Sequence, residues 1–413
     1  MAKRTCRSCG AGLEETFVDL GMSPVSNAFL TADRLQSMEP FYPLHAYVCG
    51  GCFLVQLEEF ESRENIFNDH YAYLSSYTSG WLRHCEAYAR LMIERFRLGP
   101  ASHVVEVASN DGYLLQYFSS AGIPVLGIEP TANTARIAES KGIPTVVKFL
   151  GAATARQIRG PGRGADLLVG NNVLAHVPDL NDFIEGLRIL LAPGGVITME
   201  FPHLLRLLKL NQFDTIYHEH FSYFSLLTAR SAFARHGLAV FDVEELETHG
   251  GSLRLYVRQA DPGGEPVSSA VEALAAEEYE AGLDRIETYR DFQATVEATK
   301  RDLLEFLIRE KRNGRTIVGY GAPAKGNTLL NYCGIGTDFL PFTVDFSPEK
   351  QGKFLPGTHI PVLAPEAIRE TRPDFVLILP WNIKEEIMAR AKGRNLLSVF
   401  FSTRSQSLQS SKP

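Results

Sequence analysis

The sequence predicts an α/β protein: a small cysteine-rich N-terminal module followed by two Rossmann-like units. Three observations predict it. Val104 to Gly112, Val-Val-Glu-Val-Ala-Ser-Asn-Asp-Gly, runs into a helical stretch (Tyr113 to Ser120) and then Gly127-Ile-Glu129-Pro, the strand, loop, helix and strand of a nucleotide-binding unit. After the break Asp261-Pro-Gly-Gly-Glu-Pro, the segment from Arg315 through Gly321-Ala-Pro-Ala-Lys325-Gly to Leu330 repeats that design. Four of the six cysteines form two Cys-x-x-Cys pairs near the start. At 413 residues the chain exceeds one ordinary core, and the expected units are 1–80, 81–262 and 263–413.

In the first unit, Cys6-Arg-Ser-Cys9 and Cys49-Gly-Gly-Cys52 each place two thiolates on a tight turn, and two such knuckles close a tetrahedral four-cysteine zinc site. The motif supplies no His, carboxylate or open position, so the zinc is expected to be structural. Cys85 and Cys333 read as small buried hydrophobes. Phe17 to Gly21 and Phe53 to Leu57 read as short strands. The aromatic loop from Phe67 to Gly80, with Tyr71, Tyr73 and Tyr77, reads as a lid or ligand wall, with interdomain packing as the alternative.

In the second unit, strand signals at Val104 to Val107, Val125 to Glu129, Thr145 to Phe149, Asp166 to Gly170 and Gly195 to Glu200 are separated by helical stretches. Two closing runs, Ala239 to Leu246 and Ser252 to Arg258, have no helix between them. This is a doubly wound, mostly parallel sheet with an antiparallel end, the usual shape of a class I methyltransferase domain. The loop Ala108 to Gly112 has one glycine and lacks the Gly-x-Gly-x-x-Gly that lets backbone approach a pyrophosphate. Its polar side chains suit the methionine ammonium and carboxylate of S-adenosylmethionine, and Glu129 suits the ribose hydroxyls; a nicotinamide cofactor and a bare α/β core remain the alternatives. The expected cofactor set is Glu106, Ser109, Asn110, Asp111, Gly112 and Glu129, joined by Asn171 and Asn172 after the fourth strand.

Loops after strands carry ligands in such sheets, which puts His176 and Glu200 on the cofactor side. The densest chemistry is Tyr217-His-Glu219-His220 among aromatic residues, which reads as a proton-transfer cluster in a partly dry setting, with an aromatic packing segment carrying solvated polar residues as the alternative. As a strand it would pair His218 with His220 on one face; as a helical turn it would align Tyr217 with His220.

In the third unit, Val267 to Arg312 reads as two charged helices with a solvated face. The glycine loop with Tyr320 and Lys325 at a helix start then suits a phosphate or diphosphate, with Lys350 and Lys353 as minor additions.

A formal charge of -7 without a basic stripe argues against nucleic acid and anionic membrane partners. The start lacks a signal-peptide core and no segment reaches the roughly 18 to 20 apolar residues of a span, so the expected location is the cytoplasm. A monomer is the default, although side-chain identity does not fix assembly.

Taken in order, the four-cysteine module, Val-Glu-Val-Ala-Ser-Asn-Asp-Gly, Gly-Ile-Glu-Pro, Asn-Val-Leu-Ala-His176, Tyr217-His-Glu-His-Phe, His249-Gly-Gly-Ser-Leu-Arg and Gly-Tyr320-Gly-Ala-Pro-Ala-Lys325-Gly resemble the sugar C-methyltransferases of antibiotic deoxysugar pathways, over nearly the whole chain. That resemblance implies S-adenosylmethionine and zinc as cofactors and a TDP-linked 4-keto-6-deoxysugar as substrate, methylated on a carbon beside the ketone. Carbon methylation there needs an enolate, hence a base and an oxyanion partner. The expected roles are His220 as base, Tyr217 orienting it or holding the enolate, Glu219 tuning the pair, and His176 assisting at the ketone. Tyr71 joins this group, Tyr73 and Tyr77 cover the sugar, and Lys325 with Tyr320 hold the nucleotide side. A nicotinamide-dependent nucleotide-sugar epimerase or dehydrogenase is the rival reading.

Overall fold

The protein is described by a computed structural model over residues 4–67, 74–77, 79–159, 164–261, 266–391, 398–400 and 409–410. The cysteine module carries β1 (Glu15–Ser23), β2 (Tyr42–Val48) and β3 (Val55–Leu57), paired antiparallel in that order. The knuckles lie at one end of this small sheet.

The central sheet uses β4 (Val104–Val107), β5 (Val125–Ile128), β6 (Thr145–Val146), β7 (Ala165–Asn171) and β8 (Leu191–Pro202). All four residues of β4 are buried, because a central parallel strand is covered on both faces. Next comes β9 (Ser222–Tyr223), which leaves this sheet and pairs with β3 of the cysteine module, Val55 opposite Tyr223. The central sheet closes with β10 (Leu238–Leu246) and β11 (Ser252–Gln259), in the order β10-β11-β8-β7-β4-β5-β6. β11 is antiparallel to both neighbours, as the run of two strands without a helix predicts. The expected third strand is shorter than Thr145 to Phe149, and the fifth begins earlier than Gly195, where Leu191 pairs with Ala165.

Three helices, not two, follow: Ser269–Glu280, Ile286–Arg290 and Phe292–Arg312. Most of their charges face water, but Glu278 is fully buried against His203 at 2.7 Å, where the first helix packs on the central unit, and the apolar side of the other two docks on the cysteine module. There Phe292 stacks on Phe17 with ring centroids 4.7 Å apart, and Tyr289 meets the same ring edge-on at 6.0 Å. The third unit is a second parallel sheet of β12 (Ile317–Tyr320), β13 (Thr343–Val344), β14 (Val362–Leu363) and β15 (Phe375–Ile378), extended by β16 (Ser398–Phe400) and an antiparallel β17 (Gln409–Ser410). Cys85 and Cys333 are buried, as read. Among the described residues no helix is long and apolar enough to cross a membrane.

Candidate active site

The sulfurs of Cys6, Cys9, Cys49 and Cys52 all lie within 4.8 Å of one another. Cys6 and Cys52 are 3.6 Å apart and Cys9 and Cys49 3.5 Å, close to the roughly 3.8 Å edge of a tetrahedron with Zn–S bonds of about 2.3 Å. The Gly51 N–H donates to Cys49 Sγ at 3.4 Å and the Gln56 amide to Cys6 Sγ at 3.2 Å, the donors that thiolates want. The four residues fit a zinc ion.

At the carboxyl ends of β4 and β7 the chain turns through strained geometry: Ala108, Asn110 and Asn172 all have positive φ. Such strain persists where surrounding structure enforces it, often beside ligands. Glu106 is fully buried on β4 and neither carboxylate oxygen meets full hydrogen-bond geometry, although the Tyr113 hydroxyl beside it favours the charged form. Burial pushes the Glu106 carboxyl well above its ordinary range. Ser109 Oγ, Asp111 Oδ1 and Asn171 Oδ1 are also buried without partners. This group of orphaned acceptors fits the ammonium-bearing end of S-adenosylmethionine. Glu129, at the end of β5, accepts from Asn110 N and Thr131 N, both at 2.9 Å, and from Thr131 Oγ1 at 2.5 Å, which leaves about one of a carboxylate's roughly four acceptor positions. Gly112 turns this loop at φ 75° against Ile143 and Ala138. From outside, Ser75 N donates to Asn110 Oδ1 at 3.0 Å and Ser76 bonds Asp111, while Lys141 pairs with Asp111 at 3.2 Å. The aromatic segment thus ends against the Ser109 to Gly112 loop. Tyr77 itself is 59% exposed, and Tyr71 and Tyr73 lie outside the described residues.

Tyr217 to His220 form a turn rather than a strand, with His220 N donating to Tyr217 O at 2.9 Å. This aligns Tyr217 with His220, whose Nε2 is 2.8 Å from the Tyr217 hydroxyl. His220 Nδ1 sits 2.9 Å from the Thr215 carbonyl, which can only accept. The neutral ring therefore carries its proton on Nδ1, and Nε2 is a lone pair receiving the Tyr217 O–H. Burial, then the neighbouring His176, holds the His220 pKa well below the usual imidazole value. His176, in the turn Leu174–His176, makes the same kind of contact: Nδ1 donates to Glu219 O at 2.7 Å, its ring lies 4.7 Å from that of His220, and burial lowers its pKa to about 4. His218 faces away, toward Pro43 O at 3.3 Å, so the two histidines do not share a face. Glu219 reaches the cluster through its backbone. Its carboxylate instead accepts from Asn27 of the cysteine module at 2.7 and 3.0 Å, and burial lifts it to about 7.

Glu200, expected on the cofactor side, is consumed by a buried network. It accepts from His84 Nε2 at 3.1 Å, Arg254 at 2.9 Å and Thr248 at 2.9 Å. Burial pushes its carboxyl up, but the His84 bond and Arg254 charge outweigh that and hold it at about 2. Asn172 Nδ2 lies 3.1 Å from His249 Nε2, and His249 has a left-handed backbone, φ 54°.

Lys325 is enclosed at the start of the helix Ala324–Cys333, bonded to Asn382 Oδ1 at 2.9 Å and set 4.5 Å over the Trp381 ring. Burial lowers its pKa to about 8, opposed by nearby Asp214. Tyr320 packs edge-on to Phe346 at 6.2 Å. The Ala322 N–H is taken by Asp345 at 2.7 Å, and Lys350 donates to Ala322 O at 2.9 Å, so the minor anion site with Lys350 is already internally paired. Reading by motif missed Asn27, His84, Asp214 and Trp381. His249 and Arg254 were visible in a motif but carried no role.

A C-methyltransferase C-terminal domain matches residues 247–396, a methyltransferase domain residues 81–243 and a zinc binding domain residues 6–67. The C-methyltransferase NovU of Streptomyces niveus is 37% identical over 387 residues, 94% of this chain and 92% of that protein. Among solved structures, magnesium protoporphyrin IX methyltransferase of Synechocystis PCC 6803 with bound S-adenosylmethionine is 14% identical, covering 43% of this chain and 79% of its own at a TM-score of 0.33. DhpI bound to S-adenosylhomocysteine is 21% identical, covering 45% and 90% at a TM-score of 0.31. The chain belongs to the family of S-adenosylmethionine-dependent, zinc-binding C-methyltransferases that includes NovU.

Proposed function

We propose that this C-methyltransferase acts on a TDP-linked 4-keto-6-deoxysugar, methylating C-3 beside the ketone, in the making of an antibiotic deoxysugar. The observation that carries the reading is His220: a buried neutral imidazole whose proton is held on Nδ1 by Thr215 O, leaving Nε2 as a proton acceptor shielded from solvent. A ketone's α-proton needs such a base, because only the resulting enolate is nucleophilic at carbon. S-adenosylmethionine, when bound, supplies the electrophilic methyl.

His220 Nε2 takes the proton, and Tyr217, freed from that nitrogen, donates to the developing enolate oxygen. His176 flanks the base and the ketone. Glu219 holds the cluster to the N-terminal module through Asn27. Glu106, Ser109 to Gly112, Glu129, Asn171 and Asn172 hold the cofactor, so much of the rate comes from alignment. Tyr71, Tyr73 and Tyr77 cover the sugar from the N-terminal side. Lys325, with Tyr320 behind it, meets the diphosphate from the C-terminal side. The rival nicotinamide reading has no support in the loop or in the family.

Incubation with S-adenosylmethionine and TDP-4-keto-6-deoxysugars should add one methylene, read by mass spectrometry; no product across several keto sugars overturns the proposal. In deuterated solvent, His220→Asn should abolish wash-in at the reacting carbon. Wash-in that survives removes His220 as the base.

A further inference from the structure

Trp381 opens the turn Trp381–Ile383 after β15 and reaches out of the C-terminal unit onto two turns of the central one. Its indole N–H donates to Asp214 Oδ2 at 2.7 Å. Asp214 is buried, and its other oxygen has no partner. The next residue, Thr215, presents the carbonyl that binds His220 Nδ1–H. On its other side the indole ring lies against Gly250, where an added Cβ would come within 2.5 Å of the ring. Gly250 follows His249, which meets Asn172 of the cofactor side, and Gln212 ties the Gly250 carbonyl back to the first turn at 2.7 Å. Lys325 lies over the same ring. One side chain therefore touches the supports of both His220 and His249.

We propose that Trp381 is a positioning residue for the transfer reaction: by holding Asp214 it fixes the Phe213–Thr215 turn whose carbonyl sets the His220 tautomer, so that the base is competent only when the C-terminal unit is seated. The physical reason is the state of Asp214. Without the indole N–H, the buried Asp214 carboxylate loses its side-chain hydrogen-bond donor and keeps only the charge of Lys325 and the N–H groups of its own turn against the cost of burial, so the turn moves toward water or the carboxylate takes up a proton. Either change shifts Thr215, and a neutral imidazole that loses its acceptor on Nδ1 distributes its proton between both nitrogens. The inference rests on His220 being the base, and its test separates the two.

Histidine-selective 15N spectra of the full chain read the tautomer without turnover. The wild type should show His220 protonated on Nδ1. Trp381→Phe, which keeps a ring against Gly250 but removes the donor, should show mixed tautomers. It should also lower kcat for deuterium wash-in about 10- to 100-fold with KM for the nucleotide sugar held within about twofold. Asp214→Asn, whose amide oxygen still accepts from the indole, should keep the wild-type tautomer, whereas Asp214→Leu should lose it. Zinc content and S-adenosylmethionine affinity should match the wild type in all three. An unchanged His220 tautomer and kcat in Trp381→Phe overturn the proposal; if that variant does not fold, Asp214→Leu with an unchanged tautomer does the same. A tautomer that depends on Trp381 in a protein that exchanges no proton of any keto sugar upholds the positioning and removes the substrate reading.

Discussion

His220 owes its basic nitrogen to the partner of its other nitrogen. Tyr217 shares the outer face of that ring, so Tyr217→Phe should leave proton abstraction partly working but slow methyl transfer by about 10²-fold or more, measured as kcat with wash-in followed in parallel. Glu219 shows how burial changes a neighbouring group. Its folded pKa is raised to about 7 from an ordinary 4.5. Below about pH 4.5 both folded and unfolded states are protonated and nothing is lost. As pH rises toward 7 the unfolded state ionises first, and above 7 the fold carries the full penalty, on the order of 3 kcal/mol for a shift of that size. Glu219→Gln, which can still accept from Asn27, should remove this loss: urea unfolding should show the variant gaining on the wild type between pH 5 and pH 8. Glu106 belongs to the group proposed to hold the cofactor. Glu106→Gln should weaken S-adenosylmethionine binding by about tenfold in a calorimetric titration while leaving zinc content unchanged.

At the scale of elements, β9 explains why a metal-bound module belongs in this enzyme. Ser222 and Tyr223 lie one residue past the Tyr217 to His220 turn and complete the module's sheet against β3, so the zinc knuckles, β3 and His220 form one continuous support. A module with little core of its own depends on its metal. Cys49→Ser, or prolonged chelation, should therefore lower the melting temperature and abolish wash-in. S-adenosylmethionine affinity should fall much less, because the Glu106 to Gly112 loop hangs on β4 in a different sheet. Equal loss of both would show that the module supports the whole fold rather than the Tyr217 to His220 turn. The helix Phe292–Arg312 makes the reciprocal contact, bringing the third unit onto the first through Phe17.

At the scale of the molecule, the first and third units also meet directly. Glu39 accepts from Gly357 N at 2.8 Å and pairs with His359 at 3.0 Å, and Leu30 bridges Phe354. Glu39→Ala should cost about 1 kcal/mol and make the C-terminal unit more open to limited proteolysis. Much of this architecture is legible in the chain. The strand and helix periods around Val104 to Glu129 are local, and so is the cysteine spacing, which is why the sheet of the central unit and the four-sulfur cluster can be read residue by residue. The resemblance of motifs in order brought out the cofactor and the cluster at Tyr217 to His220. Sequence by itself thus determined which chemical groups are present and which local backbone presents them. The tertiary structure alone decided that Tyr217 and His220 share a turn, that Glu200 is spent on His84 and Arg254, and that Asn27 and Trp381 arrive from the two outer units. Those contacts join residues far apart in sequence, and they are selected by burial: an enclosed carboxylate or imidazole must find a partner wherever folding brings one, and no local pattern records which residue that will be.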